Sequence, residues 1–351
     1  MTSVESSPEA VVPEQVTQNM VQRWGKRLGG GWVLLFLVGL VAFFTILRPG
    51  QFATGYNVST LAIDAAILLV LAVGQTFVII TAGIDLSVGS ALVFSSVTGT
   101  TVMLHLSGTA GSTYGTTSGG WGVLLAGLLV SLVSGAAFGL LNGFLVVYAR
   151  IPALIVTLGT MGMALGFAQI ITGGQDVRAV PELLVDYIGT GTVAGIPVLV
   201  AIAAVVAIVA GVVLHLTRFG SRTFAVGSSS EAARRSGVPL RRQVMKVYTL
   251  SGLLAGLAAM MSVARFATTT IGGHTADNLS TISAVVLGGT SLFGGIGSIL
   301  GTVVGVFIPI VLLNGFVILG IPPFWQTVAM GAVLVLAVYL DQLKRRSRNL
   351  S

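Results

Sequence analysis

About ten long apolar runs, separated by short polar breaks, constrain this chain more than any other feature. They recur at 31–47, 58–80, 87–104, 122–148, 153–171, 196–217, 247–264, 279–293, 298–313 and 324–340. Most approach the roughly 20 residues that cross about 30 Å of hydrocarbon as helix. Backbone polar groups in lipid must be paired within the segment, and a barrel would instead show short alternating stretches. The pattern therefore predicts an all-α polytopic membrane protein. Composition agrees, with 54% apolar and 8% charged residues and a mean hydropathy of +0.97.

The basic balance, with a pI near 10.2, would suggest nucleic acid were it not for where the charges fall. With the N-terminus placed in the cytoplasm, every Lys and Arg except Arg48, Arg178 and Arg265 falls on the inner side. That asymmetry is the positive-inside signature, so both termini are expected in the cytoplasm and the basicity reports topology. Residues 1–30 read as a disordered tail with a basic flank, and 343–351 as a basic tail. No small-residue cleavage site follows the first run, which reads as a retained anchor. Cysteine is absent, which removes disulfides, thiolate chemistry and Cys-ligated metal.

Two short repeats appear in the same order. "DLSVGSALV" at 85–93 lines up with "NLSTISAVV" at 278–286, and "LLNGF" at 140–144 returns at 312–316. Ile151-Pro152 and Ile321-Pro322 follow the two copies of the second. These matches predict related halves over about 58–171 and 247–340, inverted in the membrane as in many transporters. The first half carries an extra Gly/Ser/Thr loop at 105–122. Asp85 and Asn278 then stand in equivalent places, each just before an apolar helix. Asp and Asn are preferred N-caps, and an aspartate at membrane depth is also a functional candidate. The expectation is that Asp85 caps the third span and lines a solute path. Gln75, Ser87, Asn278 and Ser280 join it there, since they exchange hydrogen bonds with hydroxyls without fixed charge.

One inner loop is long, 218–246, at the junction of the two halves. Its centre, "SSSEAARRSG", reads as a capped short helix with Glu231 in its first turn, Arg234 and Arg235 later, and Gly237 as stop. Ala232 and Ala233 make that helix a compact knob for a partner's groove. The chain has no G-x-x-x-x-G-K-[ST] phosphate loop, so ATP hydrolysis by that route is not expected in it. His105, His215 and His274 are scattered, without an HExxH or paired-carboxylate spacing, and no catalytic or metal-ligating residue is assigned. An intramembrane enzyme would need His, Asp or Glu to converge. A secondary, ion-coupled transporter of a small polar solute is the other alternative. It would need a buried acid with a partner, and Asp64 and Asp85 are the only carboxylates near span interiors.

"AGIDLSVGS", "GSSSEAARRSGV", "YTLSGLLAGLAAM" and "AVVLGGTSLFGGIGS" together resemble the permease subunits of bacterial ABC importers for ribose, xylose, arabinose and related monosaccharides. The resemblance covers roughly 35–342 and implies a ten-span fold similar to the vitamin B12 importer permeases. It implies a second permease chain, the same or different, in the bacterial inner membrane. A cytoplasmic ATPase, often two fused nucleotide-binding domains, would hold ATP and magnesium, and this chain would need no cofactor of its own. An extracytoplasmic sugar-binding protein would deliver the solute. Glu231, Ala232, Ala233, Arg234 and Gly237 would belong to the coupling helix seated in the ATPase. The outer loop with Asp176, Arg178, Glu182 and Asp186 would face the binding protein. Two positions depart from the family pattern: Asn278-Leu279-Ser280 stands where acidic residues in an E-L-D pattern are expected. Ile296 stands where "GGIG" would carry a lysine.

Overall fold

A computed structural model describes residues 31–108, 116–117, 119–274 and 276–349. The tail expected at 1–30 and the middle of the Gly/Ser/Thr loop lie outside the described residues. Each apolar run forms a helix. In chain order these are α1 Gly31–Leu47, the short α2 Pro49–Phe52, α3 Gly55–Ile80, α4 Val88–Leu106, α5 Trp121–Val147 and α6 Ala153–Thr172. Then come α7 Val198–Leu216, α8 Arg218–Ser228, α9 Ser230–Arg235, α10 Leu240–Phe266, α11 Asp277–Leu287, α12 Ile299–Ile318 and α13 Pro323–Asn349. Seven of them (α3, α4, α5, α6, α7, α10 and α12) are long and apolar enough to cross a bilayer, and Val33–Leu47 and Phe324–Tyr339 are shorter apolar helices.

Three expectations are corrected. The run at 279–293 is helical only to Leu287, and Gly289 and Gly294 beyond it have φ of +92° and +83°. Eleven residues make about 16 Å of helix, half a hydrocarbon thickness. The seventh span begins at Leu240 rather than 247, so Arg241, Arg242 and Lys246 ride on it instead of a loop. The last helix runs on to Asn349, through most of the expected tail.

Burial sorts the helices into two shells. In α3, 89% of the most apolar window is buried, in α10 78% and in α4 72%, against 22–39% for α5, α6, α7 and α12. The inner helices can sit close because glycines replace side chains where they meet α5. Beta carbons added at Gly135 and Gly139 would strike the Gly252 and Tyr248 carbonyls, and one at Gly256 the Ser131 carbonyl. This is small-residue packing in lipid, where no hydrophobic drive between helices exists and backbone approach must supply the contact. A second such seam joins α11 to α12, where Gly301 and Gly305 leave no room above the Gly288 and Ala284 carbonyls.

Helix ends are closed locally. The Thr54 hydroxyl accepts from Asn57 N at 3.2 Å and the Ser298 hydroxyl from Gly301 N at 3.0 Å, while Pro152 and Pro197 precede α6 and α7. Between the helices, Val180–Pro181 pairs parallel with Thr116–Thr117, and Thr192–Val193 pairs antiparallel with Ile196–Pro197.

Candidate functional site

The segment between α3 and α4 is a helix stop followed by a buried polar turn. Ala82 N donates to Ile79 O at 2.9 Å and Gly83 N to Val78 O at 3.1 Å, with Ala82 at φ +60°. That is a Schellman closure with alanine where glycine is usual. Asp85 follows, 2% exposed, its Oδ1 accepting from Ser87 N at 2.9 Å and Ser87 Oγ at 2.6 Å. Ser251 of α10 lies 3.4 Å from Oδ2. The network continues outward: Asn142 Nδ2 donates to Ser87 Oγ at 2.8 Å, and Thr160 Oγ1 donates to Asn142 Oδ1 at 2.6 Å. Tyr248 OH and Thr157 Oγ1 donate to Ile84 O at 3.3 and 3.4 Å. Residues from α5, α6 and α10 thus converge on one turn.

Asp85 is not the cap of α4, which corrects the expectation. Ser87 holds the cap position, and its hydroxyl is spent on Asp85 rather than on the helix. The capping bond comes from the other half: Asn278 Oδ1 accepts from Gly89 N, the second residue of α4, at 2.7 Å. A side chain from 189 residues away does what a local cap normally does. Asn278 itself lies inside α11, as its second residue, with Ala276 at the cap. The swap requires glycine at 89, where a beta carbon would meet the His274 carbonyl and Asn278 Oδ1.

The start of α11, which carries Asn278, is held by a second cluster. Ser262 Oγ lies 2.8 Å from His274 Nε2, and His274 Nδ1 lies 2.7 Å from Asp277 Oδ2. The histidines are therefore not all scattered: His274 meets a carboxylate and a hydroxyl in the order of a nucleophile, base and orienting acid. Ser262 is 2% exposed, and what the three groups accomplish is to fasten His274 and Asp277 against α10 beside Gly89. His105 sits in the last turn of α4, and His215 packs its ring 6.0 Å from that of Phe224. Asp64, without a partner in the sequence reading, has one: Arg265 Nε lies 3.7 Å from its Oδ1, joining α3 to α10.

The glycine-rich stretch after α11 closes the C-terminal end of α3. Gly295 N donates to Ile80 O at 2.9 Å, and Ser291 Oγ and Leu292 N donate to Asp341 Oδ2 of α13 at 3.1 and 3.2 Å. Gly227 of α8 is seated on the same spot, with no room for a side chain above Ile80 O and Gly295 N. Ile296 is exposed. At the other end of α8, Thr217 Oγ1 lies 3.4 Å from Gly220 N, and Gln243 Nε2 donates to Phe219 O at 3.0 Å and Thr223 Oγ1 at 2.9 Å. The short helix α9 follows directly. Ser229 Oγ caps it by accepting from Ala232 N at 3.2 Å, Glu231 pairs with Arg234 and Arg235 at 2.9 and 3.1 Å, and Gly237 ends the turn at φ +78°. Ala232 is exposed, but Ala233 is 4% exposed and faces its own chain, so only the first belongs to an outward knob.

The remaining predicted residues spread across the molecule. Gln75 is fully buried in α3 with neither amide atom hydrogen-bonded, and Ser280 is buried and donates to Ala276 O at 3.2 Å. All five residues expected along a solute path lie in the interior of the chain, with Asp85, Ser87 and Asn278 gathered at one turn and Gln75 and Ser280 on neighbouring helices. In the loop between α6 and α7, Asp176 accepts from Ile271 N at 2.7 Å, tying 176–177 to 268–271, while Arg178, Glu182 and Asp186 are exposed. Sequence reasoning missed Asn142, Thr160, Ser251 and Asp277. Only Asn142 carried a signal, a lone amide inside the repeated "LLNGF"; its counterpart Asn314 forms a reciprocal amide pair with Asn57 at 2.9 and 3.1 Å.

Comparison with known proteins places this geometry. Residues 57–338 match the family model described as the branched-chain amino acid transport system / permease component. The chain is 36% identical over 316 residues to the ribose import permease protein RbsC of Escherichia coli strain K12, covering 89% of this chain and 93% of that one. It is 35% identical over 337 residues to the protein of the same name from Bacillus subtilis strain 168, covering 93% and 94%. Against the xylose transport system permease protein XylH of E. coli strain K12 it is 31% identical, covering 89% and 91%. No solved structure matches. Matched over most of its length, the chain belongs to this family of ABC transporter permeases and is a multi-pass transmembrane protein.

Proposed function

We propose that the chain is the translocation subunit of an ATP-driven importer that moves a neutral monosaccharide, or a similar polyhydroxy solute, into the cytoplasm. The observation that carries this reading is the near full-length likeness to permeases named for ribose, arabinose, allose and xylose. The family description is wider and includes amino acids, so the sugar class rests on these relatives and on the neutral hydrogen-bonding groups around Asp85. On this reading both termini are cytoplasmic, and the two halves are inverted repeats in a fold of the B12-importer kind. The permease pairs with a second permease chain and with an ATPase that holds ATP and magnesium. A binding protein meets the outer loop at Arg178, Glu182 and Asp186.

The chain's own part is mechanical. Helix α9 rests in the ATPase and continues α8. Helix α8 is clamped by Gln243 at one end and seated by Gly227 on Ile80 and Gly295 at the other. Movement of α9 therefore reaches the inner end of α3 and, five residues on, the Asp85 turn that α5, α6 and α10 share. Packed elements of this type shift between discrete arrangements rather than bending continuously.

The test is uptake by proteoliposomes containing the permease, its ATPase and its binding protein, with labelled ribose, xylose, arabinose and leucine as solutes. Sugar uptake that requires internal ATP and survives collapse of ion gradients is expected. Uptake that follows a proton or sodium gradient with ATP present would assign the secondary-transporter reading, and leucine uptake alone would overturn the solute class. Ala232→Glu is expected to leave a folded permease with weakened ATPase binding. Ala233→Glu is expected to lower stability as well, because it puts a carboxylate against the chain's own interior.

A further inference from the structure

The seam between α5 and α10 ends in a cluster of cations that no carboxylate among the described residues neutralises. Contacts along the seam run Gly139 to Tyr248, Gly143 to Met245 and Tyr148 to Arg241, so the end of α5 and the start of α10 converge. The Arg241 guanidinium lies 5.4 Å over the Tyr148 ring, which stacks on Phe144 at 5.2 Å. Arg150, Arg242 and Lys246 are exposed beside it, and among the described residues none of these four cations is paired with a carboxylate. The arginines of α9 differ, since Glu231 neutralises both.

Leading up to the cluster along α5 is an exposed apolar stripe, Leu125, Leu129, Val133, Leu140 and Phe144. From 125 to 144 it extends about 28 Å, close to the thickness of a bilayer's hydrocarbon. Acyl chains lie against such a stripe, which sets its end at the depth of the lipid phosphates. An aromatic pair topped by an arginine is the side-chain chemistry that suits that depth.

We infer that Arg241 on Tyr148, with Arg150 and flanked by Arg242 and Lys246, forms a binding site for an anionic phospholipid. The lipid's tail lies along the half of the α5 stripe next to the cluster, and its headgroup phosphate meets the guanidinium groups. Arginine matches a phosphate in two parallel bonds, and the Tyr148 ring fixes the plane of Arg241 in advance. The inference is independent of which solute is carried.

The test uses the purified full-length permease in nanodiscs of equal phosphatidylglycerol and phosphatidylcholine, with native mass spectrometry reading the ratio of retained lipids. The wild type is expected to retain phosphatidylglycerol preferentially. In Arg150→Gln/Arg241→Gln the ratio is expected to fall by about thirty-fold, two cations at about 1 kcal/mol each. Arg150→Lys/Arg241→Lys is expected to keep most of the preference, and thermal midpoints identify a variant that has lost its fold. A wild-type ratio near one, an unchanged ratio in the Gln pair, or equal loss in the Lys and Gln pairs overturns the site. So does a Gln pair that keeps the ratio but loses the ATPase or self-association, which assigns the cations to a protein partner.

Discussion

The turns before α4 and α11 match in sequence, yet their polar residues do opposite things. Asp85 keeps its two short bonds within its own turn, on Ser87, whereas Asn278 gives its oxygen to Gly89 across the molecule. The difference lies in the space next to each. Glycine at 89 admits a carbonyl and an amide from another segment, while position 282, the corresponding residue of α11, is an isoleucine packed in a hydrophobic cluster. Equivalent residues in a repeat inherit a place in the chain; their partners are decided by what the opposing half leaves open.

The largest effect should come from closing that space. Gly89→Val would put a branched side chain into the His274 carbonyl and displace Asn278, and overpacking with loss of the cap is expected to cost about 3 kcal/mol. A thermal midpoint in detergent unchanged from wild type would mean that the junction is not a lock. Next come the two polar residues themselves. Asp85→Ala leaves buried Ser87 N unpaired and is expected to cost about 2 kcal/mol and most uptake, while Asp85→Asn keeps an accepting oxygen and measurable uptake. Asn278→Ala is expected to cost about 1 kcal/mol, and Asn278→Asp little, because a carboxylate accepts from a helix N-terminus at least as well. Uptake abolished equally by well-folded Asp85→Asn and Asp85→Ala would show that the charge, and not the bonding, is what Asp85 supplies.

The smallest effect concerns the stop before the first turn. Ala82 occupies a left-handed position at φ +60°, and Ala82→Gly is expected to stabilise by up to about 1 kcal/mol. The gain should be partly offset by the loss of its methyl, which fills the space where a side chain on Gly294 would lie. A decrease in stability would mean that the methyl contact outweighs the strain.

Much of the fold was legible because burial in lipid leaves a strong one-dimensional trace. Helix positions followed from apolar run length, and the α9 cap from Ser, Glu and Gly at their customary spacing. The site was legible only in its location. "GIDLSVGS" marked the turn and the repeated "LLNGF" set Asn142 apart, but Thr160 and Ser251 each look, in sequence, like any small polar residue on an apolar helix. The same holds for Ser262, His274 and Asp277, twelve and three residues apart along the chain in the hydrogen bonds they make.

The sequence by itself determined that this chain is helical and membrane-spanning, where its helices lie and which permeases it resembles, since each rests on residues close together in the chain or on patterns repeated along it. Tertiary structure decided that α11 stops after eleven residues, that Asp64 has Arg265 and that Asn278 caps α4. It also turned Ala233 inward. Those outcomes depend on which backbones approach closely enough at glycine seams to exclude side chains, and on which buried polar atoms are then left needing partners. Both are properties of the packed helices together, where a group removed from water accepts whichever partner the neighbouring segment presents.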